Sequence, residues 1–159
     1  MANKDTFDGV KAGITMFDAL LLGVVGEIGM ERALALQSKV MEKIGTAQGK
    51  AIKKQVGDKK FDAKSAGTIV NPGIEKYGLT IKVVEDSPKR VLTKCTECTY
   101  YAAGHDLGID NKTIEMFCRV GGIKSVDALV KQLNPKLSAR VVKFRSSPED
   151  FCEEEIALE

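Results

Sequence analysis

The chain has 159 residues, of which 43% are hydrophobic and 29% are charged, as in soluble globular proteins. A chain of this length can bury a sizeable core without disulfide bonds, so we expect residues 1–159 to form a single domain. Its 24 basic and 22 acidic residues nearly cancel, so the net charge offers no argument for nucleic acid, and we expect no such partner.

The longest apolar run, from Ala19 to Val25, is shorter than the roughly 20 residues that a membrane span needs. The first residues lack the positive segment and apolar core of a secretory signal. The sequence therefore predicts no membrane partner and a cytoplasmic location. Cysteines there are thiols, metal ligands or active-site groups rather than structural disulfides.

Hydrophobic residues at helical spacing predict two long helices in the first third of the chain. The first begins at Asp5 or Thr6 and ends near Gly26 or Gly29, and the second runs over about 30–55. We expect the two to form an antiparallel pair.

The segment from Gly45 to Ala51, inside the second helix, looks like a phosphate-binding loop at first sight. Three residues rather than four separate its glycines, Ala51 replaces the required Ser or Thr, and no strand precedes it. We therefore expect a helix that carries two small residues.

A break at Gly57 to Lys60 is followed by a third helix, which Asp62 can cap and Asn71-Pro72 interrupts. Apolar and polar residues then alternate from Leu79 to Val84, as in a half-buried strand. Arg90 to Cys95 reads as the return strand, so this part of the chain predicts a β-hairpin that ends at Cys95.

Three helices are predicted next. The first ends at Gly108. The second is capped by Asp110 and is interrupted by Gly121-Gly122. Ser125 caps the third, which stops at Asn134-Pro135. The segments 137–145 and 151–158 then read as a second hairpin.

These elements predict an α+β fold. An N-terminal helical pair, residues 1–56, is followed by a four-stranded antiparallel sheet made of two hairpins and covered by helices, residues 60–159. The cysteines belong to this second part.

Four cysteines suggest a metal site as one hypothesis. Cys95 and Cys98 would form a chelating pair, and Cys118 and Cys152 would complete a thiolate site for zinc or an iron–sulfur cluster. The cofactor is otherwise unknown, and plain packing of Cys118 and Cys152 as small buried side chains is an alternative.

A second hypothesis makes Cys98 a nucleophile. Cys98 lies at a helix start, where the helix dipole favours the thiolate. His105 lies two helical turns away, roughly 10 Å, so it cannot hydrogen-bond Cys98 as its base, and we expect it to lie at the surface or just behind the residues of the site. We predict that Cys98, Cys118 and Cys152 cluster, with Cys95 the outlier.

Glu154 breaks the pattern of the last strand. Counting by twos places it on the same face as Cys152 and Ile156, where burial would raise its pKa and fit it for acid or base catalysis. The alternative is a frayed or bulged strand that leaves Glu154 in solvent.

The order of short motifs resembles the L-2-amino-thiazoline-4-carboxylic acid hydrolase family. The motifs are the segments 98–103, 133–135 and 150–152, together with the helical Cys118. The resemblance implies a hydrolase that opens a thiazoline ring toward N-carbamoyl-cysteine.

The same resemblance implies that Cys98, Cys118 and Cys152 are the family's thiols. The chain departs from the pattern at Thr99, where the family has Pro, at Ala102, where an acidic residue is frequent, and at Glu154, where an aromatic residue is usual. Cys95 is an addition that favours metal or redox use.

The leading hypothesis is an enzyme that hydrolyses a small heterocycle or amide, with catalytic residues Cys98, Cys118, Cys152 and Glu154. A carboxylate-bearing substrate would need a cation, which Arg119 or Arg140 could supply. The competing hypothesis is a metal- or small-molecule-binding module without turnover. Both imply a small-molecule partner, and the sequence leaves a homodimer open.

Overall fold

The computed structural model describes residues 4–57 and 59–159, and its elements confirm the predicted α+β fold. The helices within these ranges are α1 Lys4–Ile28, α2 Met30–Val56, α3 Ala63–Lys76, α4 Thr99–Asp106, α5 Asn111–Val120 and α6 Gly122–Leu133. The strands are β1 Thr80–Asp86, β2 Arg90–Glu97, β3 Leu137–Lys143 and β4 Cys152–Leu158.

The four strands form one antiparallel sheet in the order β1-β2-β4-β3, so the two predicted hairpins join through β2 and β4. The register of this central pair places Cys95 directly opposite Cys152. The main core lies between the sheet and the helices α3 and α6, with Val91, Leu137 and Ile156 among its buried residues.

The N-terminal pair, α1 and α2, meets at Gly29, whose positive φ of 82° is a conformation that glycine adopts without strain. Beyond this junction, α1 packs mainly on α4 and α2 mainly on α6. Leu21 and Ala33 form a small core with Phe117 of α5. The two helices therefore frame a space that α4 and α5 close from the other side.

The glycines of the segment that looks like a phosphate loop are helical and buried against α6. A Cβ at Gly49 would lie 2.6 Å from the carbonyl oxygen of Leu129, and one at Gly45 would collide with the backbone of Ser125. The prediction of a helix with two small residues is confirmed. Gly45 and Gly49 allow α2 and α6 to cross at close distance, because neither has a side chain.

We expect Gly45→Ala to lower the free energy of unfolding by about 1–3 kcal/mol or more, because the backbone of α6 cannot move aside cheaply. Gly13→Ala is the matched control, since it is also helical but nothing lies within 4 Å of its Cβ position. Urea unfolding should show the control unchanged or stabilised by up to about 1 kcal/mol. Equal effects of the two variants would contradict the close crossing.

Two predicted helix boundaries were wrong. α3 is not interrupted at Asn71-Pro72 but runs unbroken through Pro72 to Lys76, because its packing on β2 and β4 outweighs one lost backbone hydrogen bond. Ser125 does not cap α6, which begins at Gly122 directly after Gly121.

Other predicted boundaries agree with the structure. Asp62 caps α3 and accepts a hydrogen bond of 2.8 Å from the amide of Ser65. Asp58, inside the predicted break, lies outside the described residues.

Much of α1 faces solvent. Met16 is 76% exposed and Leu20 is 68% exposed. By length and composition alone, α1 could cross a membrane, although one such helix near an N-terminus is weak evidence. The absence of a membrane partner therefore stays a prediction.

We predict that a second copy of the chain covers this face of α1. The charged side chains at its middle are already engaged or turned inward, because Lys11 pairs with Asp106 and Asp18 is buried. An exposed helix face with large apolar side chains at its middle is typical of an interface. Light scattering should give the mass of a dimer for the wild type and of a monomer for Leu20→Glu.

Val142→Glu is the control for the dimer, since Val142 is also an exposed apolar residue but lies on the sheet. It should leave the mass unchanged. A wild-type monomer in solution, or binding of the wild type to lipid vesicles in place of dimerisation, would contradict the prediction.

Candidate functional site

A pocket lies where the space between α1 and α2 meets α4, α5 and the start of β4, and we call it the central pocket. Its volume of about 40 Å³ would hold about three waters. Most of its wall is apolar, and six of its residues carry acidic, amide or thiol groups. The lining residues are Phe17, Asp18, Gln37, Met41, Cys98, Tyr100, Tyr101, Ile114, Phe117, Cys118, Gly121, Gly122, Phe144, Cys152 and Glu154.

The structure brings four of the sequence-derived site residues to this pocket, namely Cys98, Cys118, Cys152 and Glu154. Cys95 is fully buried and is not among the lining residues, but it packs with Cys152 and Cys98 in one apolar cluster. Cys95 therefore does not line the pocket, although it packs with two of the thiols that do. Whether any of these residues reacts stays a prediction.

The side chains of residues 4–57 and 59–159 show no preformed metal centre. No group of three or more Cys, His, Asp or Glu side chains there is arranged to hold an ion. The ligand set Cys95, Cys98, Cys118 and Cys152 for zinc or an iron–sulfur cluster therefore finds no support in the geometry.

Cys98 differs from the other thiols in its electrostatics. It is the N-cap residue of α4. A hydrogen bond with the Cys95 thiol lowers the pKa of Cys98 and raises the pKa of Cys95. Of this pair, Cys98 is therefore the thiol that ionises more readily, and the helix dipole of α4 acts in the same direction.

The other two pocket thiols are held in the neutral form. Burial raises the pKa of Cys118 well above its ordinary value, and burial also raises the pKa of Cys152. Since only the thiolate is nucleophilic, Cys98 is the one thiol of the pocket suited to attack a substrate.

Two acidic side chains line the pocket without a hydrogen-bonding partner in the described part of the chain. Burial raises the pKa of Glu154 to about 7 and the pKa of Asp18 to about 6. Among the described residues, neither carboxyl group has a salt bridge or a hydrogen bond. Carboxyl groups with pKa values near neutrality can give or take a proton at physiological pH.

Gln37 adds a third polar group from α2. Its Nε2 donates to the carbonyl oxygen of Phe117 at 3.3 Å, while its Oε1 is buried with no partner among the described residues. The residue is only 6% exposed. A buried carbonyl oxygen without a donor is costly, so this atom favours a ligand that supplies one.

Arg145 is a buried cation behind the pocket wall. Its Nε donates to the Cys152 sulfur at 3.5 Å, and its Nη2 donates to the carbonyl oxygens of Cys95 and Thr96 at 3.0 and 3.2 Å. The guanidinium also lies 4.8 Å from the ring centre of Tyr101. Arg145 thereby ties together the ends of β2, α4 and β4 that carry the thiols.

The other sequence-derived candidates lie elsewhere. Arg119 binds Glu115 and the carbonyl oxygen of Val141. Arg140 pairs with Glu155 beside a separate cavity of about 20 Å³. Neither arginine lines the central pocket. His105 is exposed, as predicted.

Sequence reasoning missed Asp18, Gln37 and Arg145. Asp18 lies four residues after Ile14 and three before Leu21, so it interrupts the buried stripe of α1. Gln37 likewise lies four residues after the buried Ala33 of α2. A polar residue on a buried stripe was the available signal for both.

Comparison with solved structures identifies a similar fold. The phenol-responsive sensory domain of the transcription activator PoxR, crystallised with phenol, matches with a TM-score of 0.62 and 14% sequence identity. The match covers 91% of this chain and 74% of that domain. No curated protein matches the chain.

Comparison with protein families agrees with the resemblance in the short motifs. Residues 10–147, which include α4, α5 and most of the pocket, match the L-2-amino-thiazoline-4-carboxylic acid hydrolase family. The match covers most of the chain, and the protein therefore belongs to the L-2-amino-thiazoline-4-carboxylic acid hydrolase family.

Proposed function

We propose that the protein hydrolyses a small amino-substituted sulfur heterocycle or amide in the central pocket. One observation carries the proposal: the thiol with a lowered pKa, Cys98, shares a pocket with two partnerless carboxyl groups whose pKa values are near neutrality. A nucleophile beside groups that exchange protons is the equipment of covalent hydrolysis. Family membership supports the same reaction class.

The polar groups of the pocket fit a substrate with N–H donors. The free Oε1 of Gln37 is an acceptor, and the carboxyl groups of Asp18 and Glu154 are acceptors whenever they are ionised. An amino group on the carbon between ring nitrogen and ring sulfur offers such donors. The aromatic wall, with Tyr100 and Phe117, would have to move apart to hold the flat ring, because the pocket has room for only about three waters.

The reaction would proceed in two stages. In the first, the Cys98 thiolate adds to the carbon that joins the ring nitrogen and ring sulfur. The bond between that carbon and the ring sulfur breaks, and the departing sulfur takes a proton from Glu154. The substrate is then attached to Cys98 as an open isothiourea.

In the second stage, the Glu154 carboxylate removes a proton from water, and the hydroxide adds to the same carbon. The hydroxyl proton passes to the amidine nitrogen as the carbonyl forms. Cys98 leaves as thiolate, and a urea with a free thiol is released. Glu154 is again protonated, so atoms and charges balance over the cycle.

The test is incubation of the protein with L-2-amino-thiazoline-4-carboxylate and detection of N-carbamoyl-cysteine by mass spectrometry. We expect product in excess of protein, and a transient mass increase equal to one substrate on the peptide that contains Cys98. Tight binding without product, measured by calorimetry, would overturn the hydrolase proposal.

A second candidate function is small-molecule binding without turnover. The mostly apolar, aromatic wall of the pocket favours it, and the sensory domain with the similar fold was crystallised with phenol. In that case Asp18 and Gln37 would orient a ligand. Cys98→Ala would then leave ligand affinity within about twofold of the wild type, a change of roughly 0.4 kcal/mol.

A further inference from the structure

Cys95 and Cys98 form a pair of unequal accessibility at the junction of β2 and α4. Cys98 lines the central pocket, whereas Cys95 is fully buried directly behind it. Cys98 packs against Cys95 in one apolar cluster, and the Cys95 thiol donates a hydrogen bond of 3.2 Å to the carbonyl oxygen of Glu97. A small oxidant in the pocket therefore meets Cys98 first, with a second thiol already in contact.

We propose that Cys95 and Cys98 form a reversible disulfide when a hydroperoxide oxidises Cys98. The Cys98 thiolate attacks the terminal oxygen of the peroxide, the O–O bond breaks, and Cys98 becomes a sulfenic acid while the peroxide is reduced to water or an alcohol. The Cys95 sulfur then attacks the Cys98 sulfur. The hydroxyl group leaves with the Cys95 proton as water, and the disulfide is formed.

The surroundings favour this pairing over the others. Cys152 is opposite Cys95 in the sheet, but its sulfur faces the Nε of Arg145 at 3.5 Å. Cys118 belongs to α5, on a different element of the pocket wall. The Cys152 sulfur is thus engaged by Arg145, and Cys118 lies outside the apolar cluster that holds Cys95 and Cys98, so Cys95 is the thiol that resolves the sulfenic acid.

The disulfide would remove the thiolate from the pocket, and a dithiol would restore it. The proposal concerns oxidation of the thiol pair and holds whether or not the pocket turns over a substrate. Oxidation would therefore switch off the proposed hydrolysis, but its own test needs no hydrolytic activity.

The experiment treats the reduced protein, free of oxygen, with one equivalent of hydrogen peroxide, then alkylates it and digests it with trypsin. Trypsin cuts after Lys94 and Lys112, so both cysteines stay in one peptide. We expect this peptide to lose two hydrogens and to resist alkylation about tenfold or more, and dithiothreitol to reverse both changes.

Variants separate the alternatives. In Cys95→Ala and Cys95→Ser, Cys98 should persist as a sulfenic acid that dimedone traps, and Cys118→Ala should form the disulfide like the wild type. A wild-type protein that converts Cys98 to sulfinic acid without a disulfide would overturn the proposal. So would a disulfide from Cys98 to Cys118 or Cys152.

Discussion

Replacement of Cys98 by alanine should lower kcat/KM for the thiazoline substrate by about 10³-fold or more, because the covalent stage then has no nucleophile. Cys118 and Cys152 cannot take its place, since burial raises the pKa of each and keeps it protonated. Steady-state kinetics with product detection by mass spectrometry measures the effect.

Thr96→Ala is the control, because Thr96 is an exposed residue two positions away and does not line the pocket. It should leave kcat/KM unchanged. Iodoacetamide supplies an independent measurement: Cys98 should react faster than an unstructured thiol at pH 7, since its pKa is lowered. If Cys98 is no more reactive than a free thiol and Cys98→Ala retains turnover, the nucleophile role must be abandoned.

The fold was predictable because its elements depend on local signals. Turn residues and helix caps, such as Asp62 and Asp110, mark the boundaries, and alternation marks the strands. The failures arose where tertiary packing overrode a local signal. Pro72 stays helical because α3 is packed on the sheet.

The pocket was predictable only in part. The cysteines and Glu154 stood out by residue type and register, and the structure brings Cys98, Cys118, Cys152 and Glu154 together. Asp18 and Gln37 come from the N-terminal helices, and no sequence pattern places those helices against α4 and α5. Arg145 follows the end of β3, so strand alternation alone could not establish where its side chain points.

Glu154→Gln should make the folded protein more stable above pH 7 by about 3 kcal/mol. The pKa of Glu154 is raised from 4.5 to about 7 in the folded state, and each unit corresponds to about 1.4 kcal/mol. Because the folded pKa is the higher one, the neutral Glu154 carboxyl group contributes to the stability of the wild type below pH 4.5. That contribution is lost as the pH rises through about 7. Glutamine does not ionise, so the variant avoids the loss.

Urea unfolding of the wild type and the variant at several pH values measures the difference. It should be near zero at pH 4, grow between pH 4.5 and 7, and then level off. Asp18→Asn should show a similar rise at lower pH, since the pKa of Asp18 is raised from 3.8 to about 6. The control is Glu153→Gln, on the opposite face of the same strand.

The same variant links stability to function, because the carboxyl group that costs stability above pH 7 is the one proposed to move protons. Glu154→Gln should therefore be both more stable and less active than the wild type. Such a trade-off is common where an active-site group lowers the stability of the folded protein. A difference in unfolding free energy that stays constant from pH 4 to pH 8 would mean that the carboxyl group is solvated. Glu154 would then lose its role as the acid and base of the central pocket.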